Sequence, residues 1–101
     1  MEARVGIGQV KPGRMHELVD RLQSTVYSVY RGQQGFSSAL LLTNADNGKV
    51  LSISIWQTLE NLEAGEAQTA KPRAALAELF AAQRMRETYD VSLDVGAPVR
   101  S

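Results

Sequence analysis

The strongest structural signal in the sequence is FSSALLLTNADNGKVLSISIWQ, residues 36–57. Two strand-like runs flank Asn47-Gly48, a dipeptide favoured in tight hairpin turns. The second run alternates strictly between two faces, as a strand in a sheet does. One face would carry Leu51, Ile53 and Ile55, and the other Ser52, Ser54 and Trp56. The pattern predicts an antiparallel hairpin.

A two-residue turn at Asn47-Gly48 would fix the pairing of this hairpin. It would set Leu42 beside Ile53 on an aliphatic face, and Leu41 beside Ser54 on a mixed face. The aliphatic face is expected to lie under the helices. The mixed face ends in the only tryptophan of the chain and needs another explanation.

The rest of the chain supplies two more strands and two helical regions. Residues 4–10 have the pattern of a short strand, and an apolar stripe with helical spacing runs over residues 15–30. Thr58 is a candidate helix cap, and the helical region after it is expected to break at Gly65. Residues 86–95 alternate as a final strand.

The resulting order is strand, helix, strand, strand, helix, strand. This is the order of the α+β ferredoxin-like fold, βαββαβ, in which a four-stranded antiparallel sheet carries both helices on one face. At 101 residues the chain is expected to form a single domain. Its core would span about residues 3–95, followed by a flexible tail at 96–101.

Charge and composition exclude several functional classes. Eleven basic and eleven acidic residues give no net formal charge, which argues against nucleic acid or a membrane surface as a partner. The chain has no cysteine, so it contains no disulfide, thiolate nucleophile or thiolate metal site. It also lacks a signal-peptide pattern and an apolar stretch of membrane-spanning length, so a cytoplasmic protein is expected.

The mixed face of the hairpin has two interpretations. In the first, Trp56 fills a corner of the monomer core near the second helical region, and the serines face water. In the second, a second copy of the chain covers this face, because an open sheet face with a tryptophan is typical of an interaction site. We prefer the second interpretation, which predicts a homodimer whose two sheets face each other around a small cavity.

The expected lining of that cavity lies on the mixed face of three strands. It comprises Trp56, Ser52, Ser54, Thr43, Leu41, Gly6 and Gly8. The two glycines would deepen the space, but a strand bend or a close backbone contact explains them equally well.

Three short motifs occur in a characteristic order along the chain. They are Lys11-Pro12-Gly13 before the first helix, Gly35-Phe36 at the start of the second strand, and Ser54-Ile55-Trp56 at the end of the third. Together they resemble the antibiotic biosynthesis monooxygenase-like family of dimeric α/β barrels, over about residues 3–95. Their order and spacing are specific for the fold rather than for an activity.

The resemblance implies that Trp56 faces the barrel cavity. In the polyketide oxygenases of the family, a comparable tryptophan works beside an asparagine and a tyrosine, but the matching places here hold Ser52 and Leu62. The haem-degrading members use an asparagine on the first strand, and a tryptophan and a histidine in the second helical region. The matching segments here contain none of these residues, so haem degradation is not expected.

Two functional hypotheses follow from the resemblance. In the first, the protein is a cofactor-independent monooxygenase that binds a small, flat, partly aromatic quinol or phenol in the cavity, with no metal. In the second, the same fold binds a small ligand or only dimerises, without turnover. The catalytic residues are unassigned. Trp56 and Asp90 are the candidates, while Tyr27 and Tyr30 are expected to be packing residues.

Other chemistries have less support from the sequence. A metal site needs several converging ligands, and the single histidine, His16, is expected to be solvated near Glu17 and Asp20. Ser52 and Ser54 have no obvious base for nucleophilic catalysis. RNA recognition by stacking would need aromatic residues on the first strand, which has none.

Overall fold

The computed structural model describes residues 1–96. It confirms the α+β ferredoxin-like fold, with one antiparallel sheet in the strand order β2-β3-β1-β4. The strands are β1 (Glu2–Gln9), β2 (Phe36–Asn44), β3 (Lys49–Trp56) and β4 (Met85–Asp90). The predicted tail at 96–101 lies outside the described residues, apart from Gly96.

The helical layer consists of two regions that pack on one face of the sheet. The first contains α1 (Met15–Leu22), a π-helical turn (Gln23–Tyr27) and α2 (Ser28–Tyr30). The second contains α3 (Leu59–Gln68), α4 (Ala70–Ala75) and a 3-10 turn (Leu76–Leu79). Within residues 1–96, no helix has both the length and the apolar character needed to cross a membrane.

The first helical region buries one residue in every four. Leu18, Leu22, Val26 and Tyr30 are all buried in the core, as the apolar stripe predicted. The helix begins at Met15, because the preceding chain turns through a glycine with φ of 78° at position 13.

Thr58 caps α3 as predicted. Its hydroxyl accepts a hydrogen bond of 3.0 Å from the backbone N–H of Asn61. The helix then continues through Gly65 to Gln68, so the predicted break at Gly65 was wrong. The interruption comes at Thr69, between α3 and α4.

The hairpin loop is wider than predicted. It comprises residues 45–48, and Leu41 pairs with Ser52, two residues away from its predicted partner. The side chain of Asn44 accepts a backbone hydrogen bond of 3.0 Å within the loop, and Gly48 takes the positive φ of 74° that ends it. A shift of two residues preserves which residues share a face.

The last strand is shorter than predicted. The ladder between β1 and β4 ends where Glu2 pairs with Asp90. One further backbone hydrogen bond, of 2.9 Å, runs from the N–H of Val91 to the carbonyl of Met1. Residues 91–95 alternate in sequence, but they lie beyond the end of this ladder and are not part of the sheet.

The helices cover the opposite face of the sheet from the one predicted. The face that carries Ser52, Ser54 and Trp56 lies under the helices, and Trp56 is completely buried. The aliphatic face points away from the helices, so Leu40 and Leu42 are 55% and 45% exposed. The expectation that the mixed face meets a second sheet was therefore wrong.

Trp56 explains why this face lies under the helices. Its ring packs edge-on against Tyr30 and Phe36, with ring centroids 5.0 and 5.2 Å away. The indole also lies directly over Gly65 of α3, where a Cβ atom would overlap it. Trp56 thus sits in the monomer core beside the second helical region, which is the alternative interpretation of the sequence.

Candidate functional site: a cavity between the sheet and the helices

A cavity of about 370 Å³ lies between the sheet and the helical layer of a single chain. Its apolar wall is formed largely by core side chains of the first helical region and the sheet. They include Leu18, Leu22, Val26, Leu41, Val50 and Phe80. The volume and the apolar wall are typical of small-molecule sites.

A pair of hydroxyl groups provides one polar feature of the cavity wall. The Tyr27 hydroxyl lies 2.9 Å from the Ser52 hydroxyl, and either group can donate. Burial raises the pKa of Tyr27, while the hydrogen bond with Ser52 opposes this shift. Tyr27 is therefore a neutral phenol at physiological pH. The expectation that it serves only in packing overlooked this polar contact.

The π-helical turn and the sheet bring these two hydroxyls together. Tyr27 is the last residue of the turn Gln23–Tyr27, which faces β3 across the cavity. Ser52 lies at the centre of β3, paired with Leu41 on one side and Gly6 on the other. The hydroxyl pair thus connects the helical layer to the middle of the sheet.

A buried carboxylate with three arginines forms the second polar feature. Glu66 of α3 accepts a hydrogen bond of 3.1 Å from the hydroxyl of Tyr30. The guanidinium groups of Arg4 and Arg73 lie 3.7 Å from its other oxygen, and that of Arg86 contacts the same oxygen. These groups come from β1, α3, α4 and β4, so the cluster exists only in the folded chain.

A fourth arginine extends this wall. The guanidinium of Arg84 lies 4.6 Å from the centre of the Phe80 ring, and it donates a hydrogen bond of 3.1 Å to the carbonyl of Arg73. Burial lowers the pKa of both Arg84 and Arg86, and neighbouring guanidinium groups lower it further. In the described part of the chain, Glu66 is the one acidic residue that lines the cavity.

The two glycines of β1 have different roles. A Cβ atom at Gly6 would meet only the Ser52 side chain, at 3.9 Å, so Gly6 leaves open floor in the cavity. A Cβ atom at Gly8 would approach the Phe80 ring to 2.5 Å. Gly8 therefore permits a close contact, which is the alternative interpretation of this residue.

Five of the predicted lining residues do lie along a cavity wall. They are Ser52, Ser54, Leu41, Gly6 and Gly8. The cavity they line is inside one chain, between sheet and helices, and not between two sheets.

Three other candidates lie outside the lining of this cavity. Trp56 is in the adjacent core, where its indole N–H donates a hydrogen bond of 3.0 Å to the hydroxyl of Ser54. Thr43 and Asp90 are exposed. Trp56 therefore supports the wall through Ser54, and Asp90 has no contact with the cavity.

A metal centre finds no support among residues 1–96, where no group of three or more His, Asp or Glu side chains could hold an ion. His16 is 94% exposed at its side chain and lies 3.4 Å from Asp20, as expected for a solvated helix residue.

The arginine cluster was missed by the sequence reasoning. One signal was available, because Arg4 alternates with Gly6 and Gly8 on the same face of β1. A charged residue on a face with two small ones indicates a polar space. Arg73 and Arg86 gave no comparable signal, since their approach to Glu66 depends on the tertiary fold.

The fold and the cavity define a class: a ferredoxin-like α+β domain with a ligand-sized cavity between its sheet and its helices. The sequence model of the antibiotic biosynthesis monooxygenase family matches residues 7–70. The chain belongs to this family. No curated protein matches the sequence significantly.

Solved structures with the same fold cover nearly the whole chain. SnoaB, a cofactor-independent oxygenase from Streptomyces nogalater, superposes with a TM-score of 0.80 at 17% identity, covering 95% of this chain and 97% of its own. The monooxygenase from ActVA-Orf6 of Streptomyces coelicolor, in complex with Nanaomycin D, has a TM-score of 0.76 at 22% identity, covering 99% and 92%. Rv0793 from Mycobacterium tuberculosis superposes with a TM-score of 0.76 at 18% identity, covering 95% of this chain and 98% of its own.

Proposed function

We propose that the protein is a cofactor-independent oxygenase that converts a small, flat phenol or quinol inside the cavity of each chain. The observation that carries the proposal is the hydroxyl pair of Tyr27 and Ser52, which shares an otherwise largely apolar cavity with several arginines. Membership of the monooxygenase family and the likeness to two oxygenase structures support this assignment.

The reaction uses the electron-rich ring of the substrate itself. A phenol loses its proton, and the resulting anion passes an electron to O2. The two radicals combine to a carbon-bound peroxide anion. It takes up the proton released in the first step to become a hydroperoxide, which loses water to give a quinone. One oxygen atom enters the product and the other leaves in water. The substrate loses the four electrons that O2 accepts.

The cavity supplies two contributions to this chemistry. The neutral hydroxyls of Tyr27 and Ser52 can hydrogen-bond the phenol oxygen and fix the ring over the open floor at Gly6. The guanidinium groups on the opposite wall lower the free energy of the anion through their positive charge, which acts more strongly where water is excluded. Enclosure by the apolar wall also orients the ring for attack.

Oxygen uptake with a panel of quinols and phenols tests the proposal. We expect a substrate-dependent uptake, with one quinone and one water formed per O2 consumed. Tyr27→Phe should reduce the uptake about tenfold or more, as for loss of one positioned hydrogen bond. Ser28→Ala is the control for loss of a hydroxyl, since Ser28 is exposed on the same helical region and lies outside the lining of the cavity. Equal uptake by both variants would contradict the proposed role of the hydroxyl pair.

A second candidate function is ligand binding without turnover. It is favoured by Ser52 and Leu62, which occupy the places where the family resemblance implies an asparagine and a tyrosine in the polyketide oxygenases. Leu62 is completely buried in the core. Binding of a phenol without oxygen uptake or quinone formation, across the whole panel, would support this second function and contradict the first.

We also propose that the protein is a homodimer formed through the outer face of the sheet. This face carries apolar residues on all four strands, among them Ile7, Leu40, Leu42, Ile53, Met85 and Tyr89, with the acidic Glu87 between the last two. The same face of a second copy is a suitable occupant, because a two-fold axis places an apolar patch against itself. The proposed interface lies opposite to the one expected from the sequence, and it leaves the cavity intact.

A further inference from the structure

We infer that the natural ligand is an aromatic acid: its phenol end lies at Tyr27 and Ser52, and a carboxylate at its other end lies at Arg4 and Arg86. The inference rests on the cavity of the proposed function and names the substrate class more narrowly. It follows from the charges, the unused hydrogen-bonding capacity and the spacing of the wall.

The first argument is the imbalance of charge. Four arginines line the cavity, namely Arg4, Arg73, Arg84 and Arg86, and within residues 1–96 they share one acidic neighbour there, Glu66. A single carboxylate leaves three positive charges uncompensated in a partly enclosed space. Such an excess costs free energy in the empty protein and is relieved by an anion.

The second argument is a donor without a partner. The Nε–H of Arg4 and the Oε1 of Glu66 are both buried, and neither makes a hydrogen bond with a described residue. The guanidinium of Arg4 lies at 3.7 Å from Glu66, which is an ion pair rather than a close, forked hydrogen bond. The terminal nitrogens of Arg4, which lines the cavity, therefore retain capacity for an oxyanion.

The third argument is the distance between the two polar features. Gly6 pairs with Ser52 on β3 and with Arg86 on β4, so these three residues form one row across the sheet. Neighbouring strands are about 4.8 Å apart, which separates the backbones of Ser52 and Arg86 by about 10 Å. The open floor at Gly6 lies between them. A ring system of one or two fused rings can bridge this space.

The pKa shifts agree with this picture. Burial lowers the pKa of Arg86 first, and the charge of Arg4 lowers it further. Burial also lowers the pKa of Arg84, and the charge of Arg73 lowers it further. A guanidinium group whose pKa is lowered by a neighbouring guanidinium lacks enough negative charge nearby. A bound carboxylate would supply it.

The test is a binding titration under anaerobic conditions, in which turnover plays no part. The probe is 6-hydroxy-2-naphthoate, compared with its primary amide and with naphthoate that lacks the hydroxyl, each followed by calorimetry. We expect the acid to bind about tenfold or more tightly than the amide, as for a charge-assisted hydrogen bond. Removal of the hydroxyl should weaken binding by a smaller factor.

Variants locate the binding site of the carboxylate. Arg4→Gln and Arg86→Gln should each remove most of the preference for the acid over the amide. Arg31→Gln, at an exposed position outside this cavity, should keep it. Arg86→Lys provides a second measurement if a glutamine variant fails to fold, because a lysine keeps the charge but not the forked geometry. It should bind the acid more weakly than the wild-type protein.

Three outcomes would overturn the inference. Equal affinity for the acid and the amide would show that the arginines pair only with Glu66 and do not bind the ligand. A preference that survives in both Arg variants would place the carboxylate elsewhere. Complete competition by chloride or inorganic phosphate at low millimolar concentration would show a general anion site. A clear preference for the acid without oxygen uptake in air would leave this inference standing and contradict only the proposed oxygenase activity.

Discussion

The hydroxyl of Tyr27 lies 2.9 Å from that of Ser52, so a residue of the π-helical turn meets the centre of the sheet across the cavity. This contact joins the first helical region to the sheet, as the arginines around Glu66 join the second helical region to it. Loss of the Tyr27 hydroxyl leaves Ser52 without this partner. Tyr27→Phe should therefore lower the free energy of unfolding by about 1 kcal/mol in urea denaturation.

The same residue predicts a dependence of stability on alkaline pH. Burial raises the pKa of Tyr27 in the folded protein, whereas an unfolded tyrosine ionises near pH 10. Its contribution is present below pH 10 and is lost as the pH rises towards the folded pKa, because only the unfolded chain releases the proton there. Tyr27→Phe should flatten the decline of unfolding free energy above pH 10.

Tyr89→Phe is the control for this titration. The pKa of Tyr89 is also raised, mainly by its hydrogen bond with Glu87, but its ring is 51% exposed. Both variants are measured in a Leu40→Glu background, which should keep the outer face of the sheet unpaired. Solvent screening should then make the effect of Tyr89→Phe on the alkaline decline smaller than that of Tyr27→Phe. An equal or larger effect of Tyr89→Phe would contradict the assignment to burial.

A methyl group at Gly65 should disturb the core. Its Cβ would overlap the Trp56 indole, so the ring or helix α3 must move. Gly65→Ala should lower the unfolding free energy by about 1–2 kcal/mol, even though alanine favours a helix. Gly32→Ala is the matched control, since the nearest atom to its Cβ is 3.7 Å away. Thermal unfolding followed by tryptophan fluorescence measures both. A Gly65 variant as stable as the control would contradict the close contact.

Neutralising Glu66 should have opposite effects on stability and on ligand binding. Glu66→Gln leaves three guanidinium groups without their shared carboxylate, and should reduce the unfolding free energy by about 1–3 kcal/mol. It should also tighten binding of hydroxynaphthoate, because a competing anion is removed. Glu63→Gln, on the exposed side of the same helix, should change neither quantity. A weaker affinity in stably folded Glu66→Gln would contradict the proposed role of the carboxylate.

A charge on the outer face of the sheet should prevent dimer formation. Leu40→Glu places a carboxylate in the proposed interface at a side chain that is 55% exposed, so the fold of the monomer should tolerate it. Sedimentation should change from dimer to monomer. Leu59→Glu is the control, because Leu59 is 46% exposed on α3, away from the sheet. A dimer that survives only in Leu40→Glu, or in both variants, would place the interface elsewhere.

The fold was predictable because its signals are local. The alternation in β3, the asparagine–glycine loop and the four-residue spacing of Leu18 and Leu22 each act over a few residues. The orientation of the sheet was not predictable in this way, because both faces of the hairpin carry large apolar residues. It is decided by Trp56, whose ring needs the space that Gly65 provides on another element.

The cavity could be predicted only in part. Gly6, Ser52 and Ser54 were recognised because they follow the alternation of their strands. Glu66 and Arg73 were not, since their spacing in the sequence carries no sign that they meet Arg86 from β4. Charged side chains that meet through tertiary structure leave no periodic pattern, and so their grouping appears only in the folded chain.

The cavity wall is built from one chain, with the sheet lying between it and the outer apolar face. A site shared between subunits can be rebuilt when two chains with different defects associate, each lending its intact half. This arrangement allows no such rescue. A chain altered at Tyr27 and a chain altered at Arg86 carry one damaged site each, and a mixture of the two should perform no better than the sum of its components.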